Sequence, residues 1–216
     1  GLYKAIKTVK PDLIIVEGFG GWAPAGLRYA FVHYKPALIF YERTAYVERN
    51  SPWWRTLYRE IIGRLASGFI INGSLTHQYL NRLGFGHYPM VEGCMVADSS
   101  GLSAAVGGMK ESEKQGLRES LHIEGNGLIF LFIGQLVERK GIKQFLAAWT
   151  IHSKAYPDDV LLVIGDGILH KKLTDKYGKL PSVRILGTVN YAQIFRYYAI
   201  ADVFVMPTLE DNWSLV

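Results

Sequence analysis

The 216-residue sequence is 49% hydrophobic and 13% aromatic, enough to build one large core or two smaller ones. Its formal net charge of +5 is uneven: residues 1–98 hold 11 Lys and Arg against 7 Asp and Glu, and residues 99–216 hold 13 against 12. No apolar run reaches the length of a membrane span, the single cysteine (Cys94) excludes an intrachain disulfide framework, and no His, Cys and Asp cluster has metal-ligand spacing.

Lys4 to Lys10 reads as the end of a helix broken by Pro11-Asp12, and Leu13 to Val16 as a buried strand. The Gly-rich loop Glu17 to Trp22 follows, either a ligand approach or a plain strand-to-helix turn. A helix is expected over Ala23 to Tyr34, with Pro24 in its first turn, and a strand over Ala37 to Tyr41. Ser51 and Pro52 mark the start of a helix whose apolar face is Trp54, Leu57, Tyr58, Ile61, Ile62 and Leu65, with Arg55, Arg59 and Arg64 off that face. A basic amphipathic helix of this kind suits an anionic membrane surface. Its place between two strands argues that the apolar face packs on the sheet and leaves Trp53 to touch lipid. Gly68 to Asn72 and Tyr88 to Glu92 read as strands flanking a helix over Leu75 to Leu83. Ser99 to Asn126, rich in Ser, Gly, Lys and Glu, reads as a linker with its hinge near Asp98 to Gly108 and a short entry helix over Glu111 to Leu121.

The most informative stretch runs from Leu128 to Pro207. Leu128 to Ile133 is an apolar run without polar alternation, ended by Gly134 and followed by Arg139-Lys140-Gly141. Such a run is a strand of a parallel sheet covered on both faces, and ligands bind at the carboxyl ends of such strands. Basic residues there, beside a helix start, make a phosphate site. Three more strands are expected: Val160 to Ile164, Val183 to Leu186, and Asp202 to Met206. Helices over Ile142 to Tyr156, Ile168 to Leu180 and Ala192 to Ala201 separate them, giving a doubly wound α/β sheet.

Four segments occur in order: Phe132-Ile-Gly-Gln-Leu-Val-Glu-Arg-Lys-Gly141, Ile164-Gly-Asp-Gly167, Leu186-Gly-Thr-Val189, and Ala201-Asp-Val-Phe-Val-Met-Pro-Thr208. Together they resemble the nucleotide-sugar-binding half of retaining glycosyltransferases of family 4. The resemblance implies the GT-B fold, two Rossmann-like doubly wound domains, both incomplete in these 216 residues. Residues 1–98 would belong to the acceptor-side domain, 99–126 to the hinge and entry helix, and 127–216 to the donor-binding domain. It implies metal-independent sugar transfer from a nucleotide sugar, with retention, in glycan or cell-surface polysaccharide biosynthesis. No cofactor is expected beyond the donor substrate.

Site roles follow from the same resemblance. Lys140 matches the lysine that binds the leaving diphosphate. Gln135 stands where the family has an arginine, so cationic help is either absent or supplied by Arg139. Matching Pro207 to Val216 onto the family's last motif puts Asp211 on the first of two glutamates, a hold for donor-sugar hydroxyls, with the second beyond residue 216. Gly134, Asn212, Trp213, Ser214 and Leu215 would line the donor site, the last three through backbone N–H groups, and Val189 would meet the nucleobase. Glu42 stands where the family often has a histidine facing the sugar. It is read either as a cleft carboxylate or as a surface salt bridge to Arg43 or Arg49. The partners expected are a nucleotide-sugar donor and a glycan or lipid-linked acceptor, with no nucleic acid. The basic first half is either a peripheral membrane contact or an ordinary solvated surface, and the expected location is the cytoplasm, either free or at the inner face of the membrane. The rivals are a non-catalytic nucleotide-sugar-binding module and a sugar-nucleotide epimerase.

Overall fold

The structure is a computed structural model that describes residues 1–93 and 95–211. It divides into two compact units, residues 1–96 and 97–211.

The first unit alternates helix and strand: α1 (Leu2–Val9), β1 (Ile14–Glu17), α2 (Ala23–Val32), β2 (Ala37–Tyr41), α3 (Trp53–Gly63), β3 (Gly68–Ile71), α4 (Ser74–Arg82) and β4 (Met90–Glu92). The four strands form one parallel sheet in the order β1-β2-β3-β4. Registers such as Ile14 opposite Ala37 and Ile39 opposite Phe69 put one set of alternate residues on one face. On that face Ile14, Ile39, Tyr41, Phe69 and Ile71 pack with Leu27 of α2, Leu80 of α4 and Phe85 in a single core. The other face is more open than the reading of Leu13 to Val16 as a buried strand implies. Ile15 is 57% exposed and Val91 is exposed too, because the described helices of this unit pack their apolar residues on the first face only.

The second unit begins with α5 (Ser99–Gly108) and α6 (Glu111–Ser120). The stretch expected as a hinge is therefore helical. Asp98 starts it by accepting the Gly101 N–H at 2.8 Å, a cap that stabilises even this Gly- and Ser-rich sequence. Then come β5 (Ile129–Ile133), α7 (Ile142–Ala155), β6 (Val160–Ile164), α8 (His170–Tyr177), β7 (Val183–Gly187), α9 (Ile194–Ile200) and β8 (Val203–Phe204). Here the sheet is covered on both faces. Leu161 and Val163 of β6 join a core with Leu146 and Trp149 of α7, while Val160, Leu162 and Ile164 join another with Leu117 of α6 and Ile200 of α9. All pairings are parallel, in the order β7-β6-β5-β8. After β5 the chain steps to one side for β6 and β7, then returns to the other side for β8. The strand order therefore reverses between β5 and β8, the kind of crevice where open α/β sheets bind ligands.

Candidate functional site

The crevice is built by two loops far apart in sequence. The first leaves β5 at Gly134, makes a single 3-10 turn over Glu138–Lys140, and enters α7 at Gly141. Gly141 has φ +68°, and a Cβ there would collide with the carbonyl of Pro207, so only glycine lets the two loops close on each other. Gly165, at φ +134°, packs as closely on the carbonyl of Gly134. The second loop follows β8. The Arg139 carbonyl accepts the N–H groups of Leu209 at 2.9 Å and Glu210 at 3.1 Å, which pins this loop beside the first. Asp202 anchors the return path, its carboxylate accepting the Ile129 N–H at 2.8 Å at the start of β5.

The clamp delivers Asp211 to the two basic residues. Lys140 Nζ pairs with Asp211 Oδ2, and Arg139 Nη1 lies 3.6 Å from Asp211 Oδ1. Arg139 Nη2 also donates to Gln135 Oε1 at 3.1 Å. Glu138 is held by Lys143 at 2.9 Å. Among the described residues both cations face this carboxylate, and the Lys140 side chain is only 13% exposed, which weakens solvent screening.

Lys140, Gln135, Arg139 and Asp211 are thus brought together, with Gly134 in the same loop. Val189 follows β7 at the same carboxyl edge of the sheet, its side chain packed on the core of this unit. Asn212, Trp213, Ser214 and Leu215 lie outside the described residues.

Glu42 belongs to the first unit. It follows β2, and its carbonyl accepts from Thr76 Oγ1 at 3.2 Å. It lines a cavity of about 450 Å³ with Glu17, Phe19, Arg43, Trp54 and Tyr58. The salt bridge considered for it with Arg43 is not formed: Arg43 Nη1 pairs with Glu48 Oε1 at 2.5 Å instead.

Arg59 also lines this cavity, and it belongs to an ion pair that sequence periodicity did not reveal. Glu48 and Arg59 are joined at 2.6 Å with side chains 2% and 9% exposed. Ser51 donates its hydroxyl to Glu48, so it does not act as the helix cap expected of it; Pro52 opens α3 with no side-chain cap. Arg59 also donates to Tyr79 Oη at 2.9 Å. Burial pushes the Glu48 carboxyl up, but hydrogen bonds from Ser51, Arg43 and Arg59 outweigh it and hold the group below its usual range.

The same pair turns α3. With Arg59 facing inward, Tyr58, Ile62 and Leu65 pack on the core, while Trp53 (77% exposed), Trp54 (53% exposed), Leu57 and Ile61 face outward. The expected apolar face is therefore split in two. The Arg55 guanidinium lies 5.5 Å from the Trp54 ring centre, and that of Arg49 lies 3.9 Å from the Tyr46 ring centre.

Residues 113–216 match the family model described as glycosyl transferases group 1. The group 1 match covers β5 to β8 and the whole Lys140–Asp211 cluster. A stretch of 104 residues is 30% identical to the alpha-monoglucosyldiacylglycerol synthase of Acholeplasma laidlawii, covering 47% of this chain and 26% of that protein. Among solved structures, the chain is similar to a glycosyltransferase from Rickettsia africae (TM-score 0.72, 15% identity, 98% of this chain and 55% of that one). It is similar to Alr3699/HepE of Anabaena in complex with UDP (TM-score 0.71, 17% identity, 97% and 57%). It is also similar to a UDP-GlcNAc 2-epimerase of Neisseria meningitidis bound to UDP-GlcNAc (TM-score 0.62, 17% identity, 94% and 56%). At these identities the structures establish the α/β GT-B type of fold. The chain spans about a quarter of the curated relative and a little over half of the solved chains.

Proposed function

We propose that the protein transfers a sugar from a nucleotide-sugar donor to an acceptor, as a family 4 enzyme that retains configuration and needs no metal. One observation carries this: Lys140, Arg139 and Asp211 converge at the switch point of a sheet whose residues match the group 1 glycosyl transferases. As the sugar C1–O bond breaks, negative charge grows on the leaving diphosphate, and fixed cations aimed there lower the barrier. Lys140 is the principal cation, and Asp211 holds hydroxyls of the donor sugar. Together the two basic side chains do the work of a divalent cation.

The acceptor, a glycan or a lipid-linked sugar, would use the first unit. Its cavity offers aromatic walls in Phe19 and Tyr58 for sugar or acyl faces and carboxylates in Glu17 and Glu42 for hydroxyls. No helix among the described residues is long and apolar enough to cross a membrane. The outward side of α3 suits the inner membrane face instead, with Trp53, Trp54, Leu57 and Ile61 entering the headgroup boundary and Arg55 and Arg64 meeting anionic lipid. The product would serve glycan or cell-surface polysaccharide synthesis.

The test supplies a protein carrying this chain with nucleotide sugars and candidate acceptors, with and without EDTA. The expected result is acceptor-dependent release of nucleoside diphosphate, unchanged by EDTA, with NMR showing the donor's anomeric configuration in the product. Conversion of the donor to its epimer without transfer would establish the epimerase alternative, and binding with neither reaction would establish a non-catalytic module.

A further inference from the structure

We propose that Arg139 is the second phosphate-binding cation of the donor site and that Gln135 is the residue that positions it. The assignment rests on the nucleotide-sugar site proposed above. A breaking diphosphate presents two phosphates, and one lysine cannot neutralise both. Residue 135 opens the loop after β5 and carries an uncharged side chain there. Arg139, four positions on, reaches back over the 3-10 turn, and its Nη2 donates to Gln135 Oε1 at 3.1 Å. The other arm, through Nη1, lies 3.6 Å from Asp211, the carboxylate that pairs with Lys140. The guanidinium is thus held between two acceptors on the crevice side of the loop, on the same partner as Lys140.

The backbone fixes it as well. The Arg139 carbonyl is the acceptor for both Leu209 and Glu210, so the main chain from which the side chain starts is held by the clamp between the two loops. The remaining acid of the turn does not compete for it, because Glu138 pairs with Lys143 at 2.9 Å. A guanidinium suits this position because its fork can keep Gln135 on one edge while another edge meets phosphate oxygens. Gln135 acts only through Arg139: its amide oxygen is the acceptor that sets the angle of the arm.

The experiment titrates the 216-residue chain with UDP, ADP and GDP and with the matching monophosphates, by calorimetry. A second cation contributes where a second phosphate is present. Arg139→Ala should therefore weaken diphosphate binding about tenfold and leave monophosphate binding within about twofold. Gln135→Ala should lower the diphosphate-to-monophosphate ratio about threefold, with unfolding midpoints unchanged in both variants. The double variant Gln135→Arg with Arg139→Ala should recover the diphosphate preference by returning the cation from the other end of the turn. A ratio in Arg139→Ala equal to wild type, or no recovery in the double variant, overturns the assignment of Arg139. An unchanged ratio in Gln135→Ala overturns its positioning role. If Lys140→Ala abolishes diphosphate binding while Arg139→Ala does not, the donor site stands and this proposal falls. If the wild-type chain binds no diphosphate, both fall.

Discussion

Lys140 and Asp211 are 71 residues apart in the chain and form an ion pair across the mouth of the β5–β8 crevice. On the proposed reading the pair would have opposite consequences for the two parts of a nucleotide sugar. Asp211 would order the lysine that a phosphate needs, and it would also compete with that phosphate for the same ammonium group.

On the same reading, Lys140→Ala would remove the principal cation from the leaving group. The expected loss is about 2–4 kcal/mol of transition-state stabilisation, read as a fall in kcat/KM for sugar transfer with the unfolding midpoint unchanged. Unaltered turnover would remove Lys140 from the site.

Asp211→Asn takes away the anion between two cations. Nucleoside diphosphate should bind about fivefold more tightly, ~1 kcal/mol for a partly exposed pair, while transfer from the nucleotide sugar becomes slower because a hydroxyl acceptor is lost. Titration and turnover measured on the same preparation check the divergence. A change of both in the same direction would contradict the dual role.

Arg59→Leu strands the Glu48 carboxylate in a nearly closed site with Arg43 and Ser51 as its remaining partners. Loss of one partner of a buried pair should cost about 3 kcal/mol, measured by urea unfolding. Arg59→Lys should recover part of this, because a charge returns without the guanidinium fork that reaches both Glu48 and Tyr79.

Acid should act through the same group. The folded-state pKa of Glu48 lies below its unfolded value, so its contribution to stability is complete above the ordinary glutamate pKa and is lost as pH falls through the folded value. Unfolding free energy measured from pH 7 down to about pH 3 should therefore fall less steeply in Glu48→Gln than in the wild type.

Trp53→Ser combined with Trp54→Ser tests the outward face of α3. Sedimentation with vesicles containing phosphatidylglycerol should weaken about tenfold, about 1.4 kcal/mol, and binding to neutral phosphatidylcholine vesicles should be weak in both proteins. Equal binding to anionic vesicles would place the membrane contact elsewhere or remove it.

Much of the fold was legible because the buried strands are written as apolar runs. Ile129 to Ile133 and Val160 to Ile164 have few polar positions to be misread, and the glycines and prolines after them mark where each strand must end. Helix periodicity misled at α3. Apolar spacing assigned Trp54, Leu57 and Ile61 to the core and Arg59 to solvent, but Glu48 reverses that preference by giving the guanidinium a buried partner. The hinge expected near Asp98 to Gly108 carries a helix, α5, which low intrinsic propensity hides in the sequence and the Asp98 cap helps to start.

By itself the sequence determined which residues could bear charge at the strand ends: Lys140, Arg139, Asp211 and Glu42 were all visible as polar groups just past an apolar run. Which of them act together was decided only by the tertiary structure. Parallel pairing of β5 with β8 sets two loops side by side, and the Arg139 carbonyl clamps Leu209 and Glu210, bringing Asp211 to Lys140. Spacing along a chain records local periodicity, whereas an ion pair between residues 71 apart depends on where the sheet returns the chain.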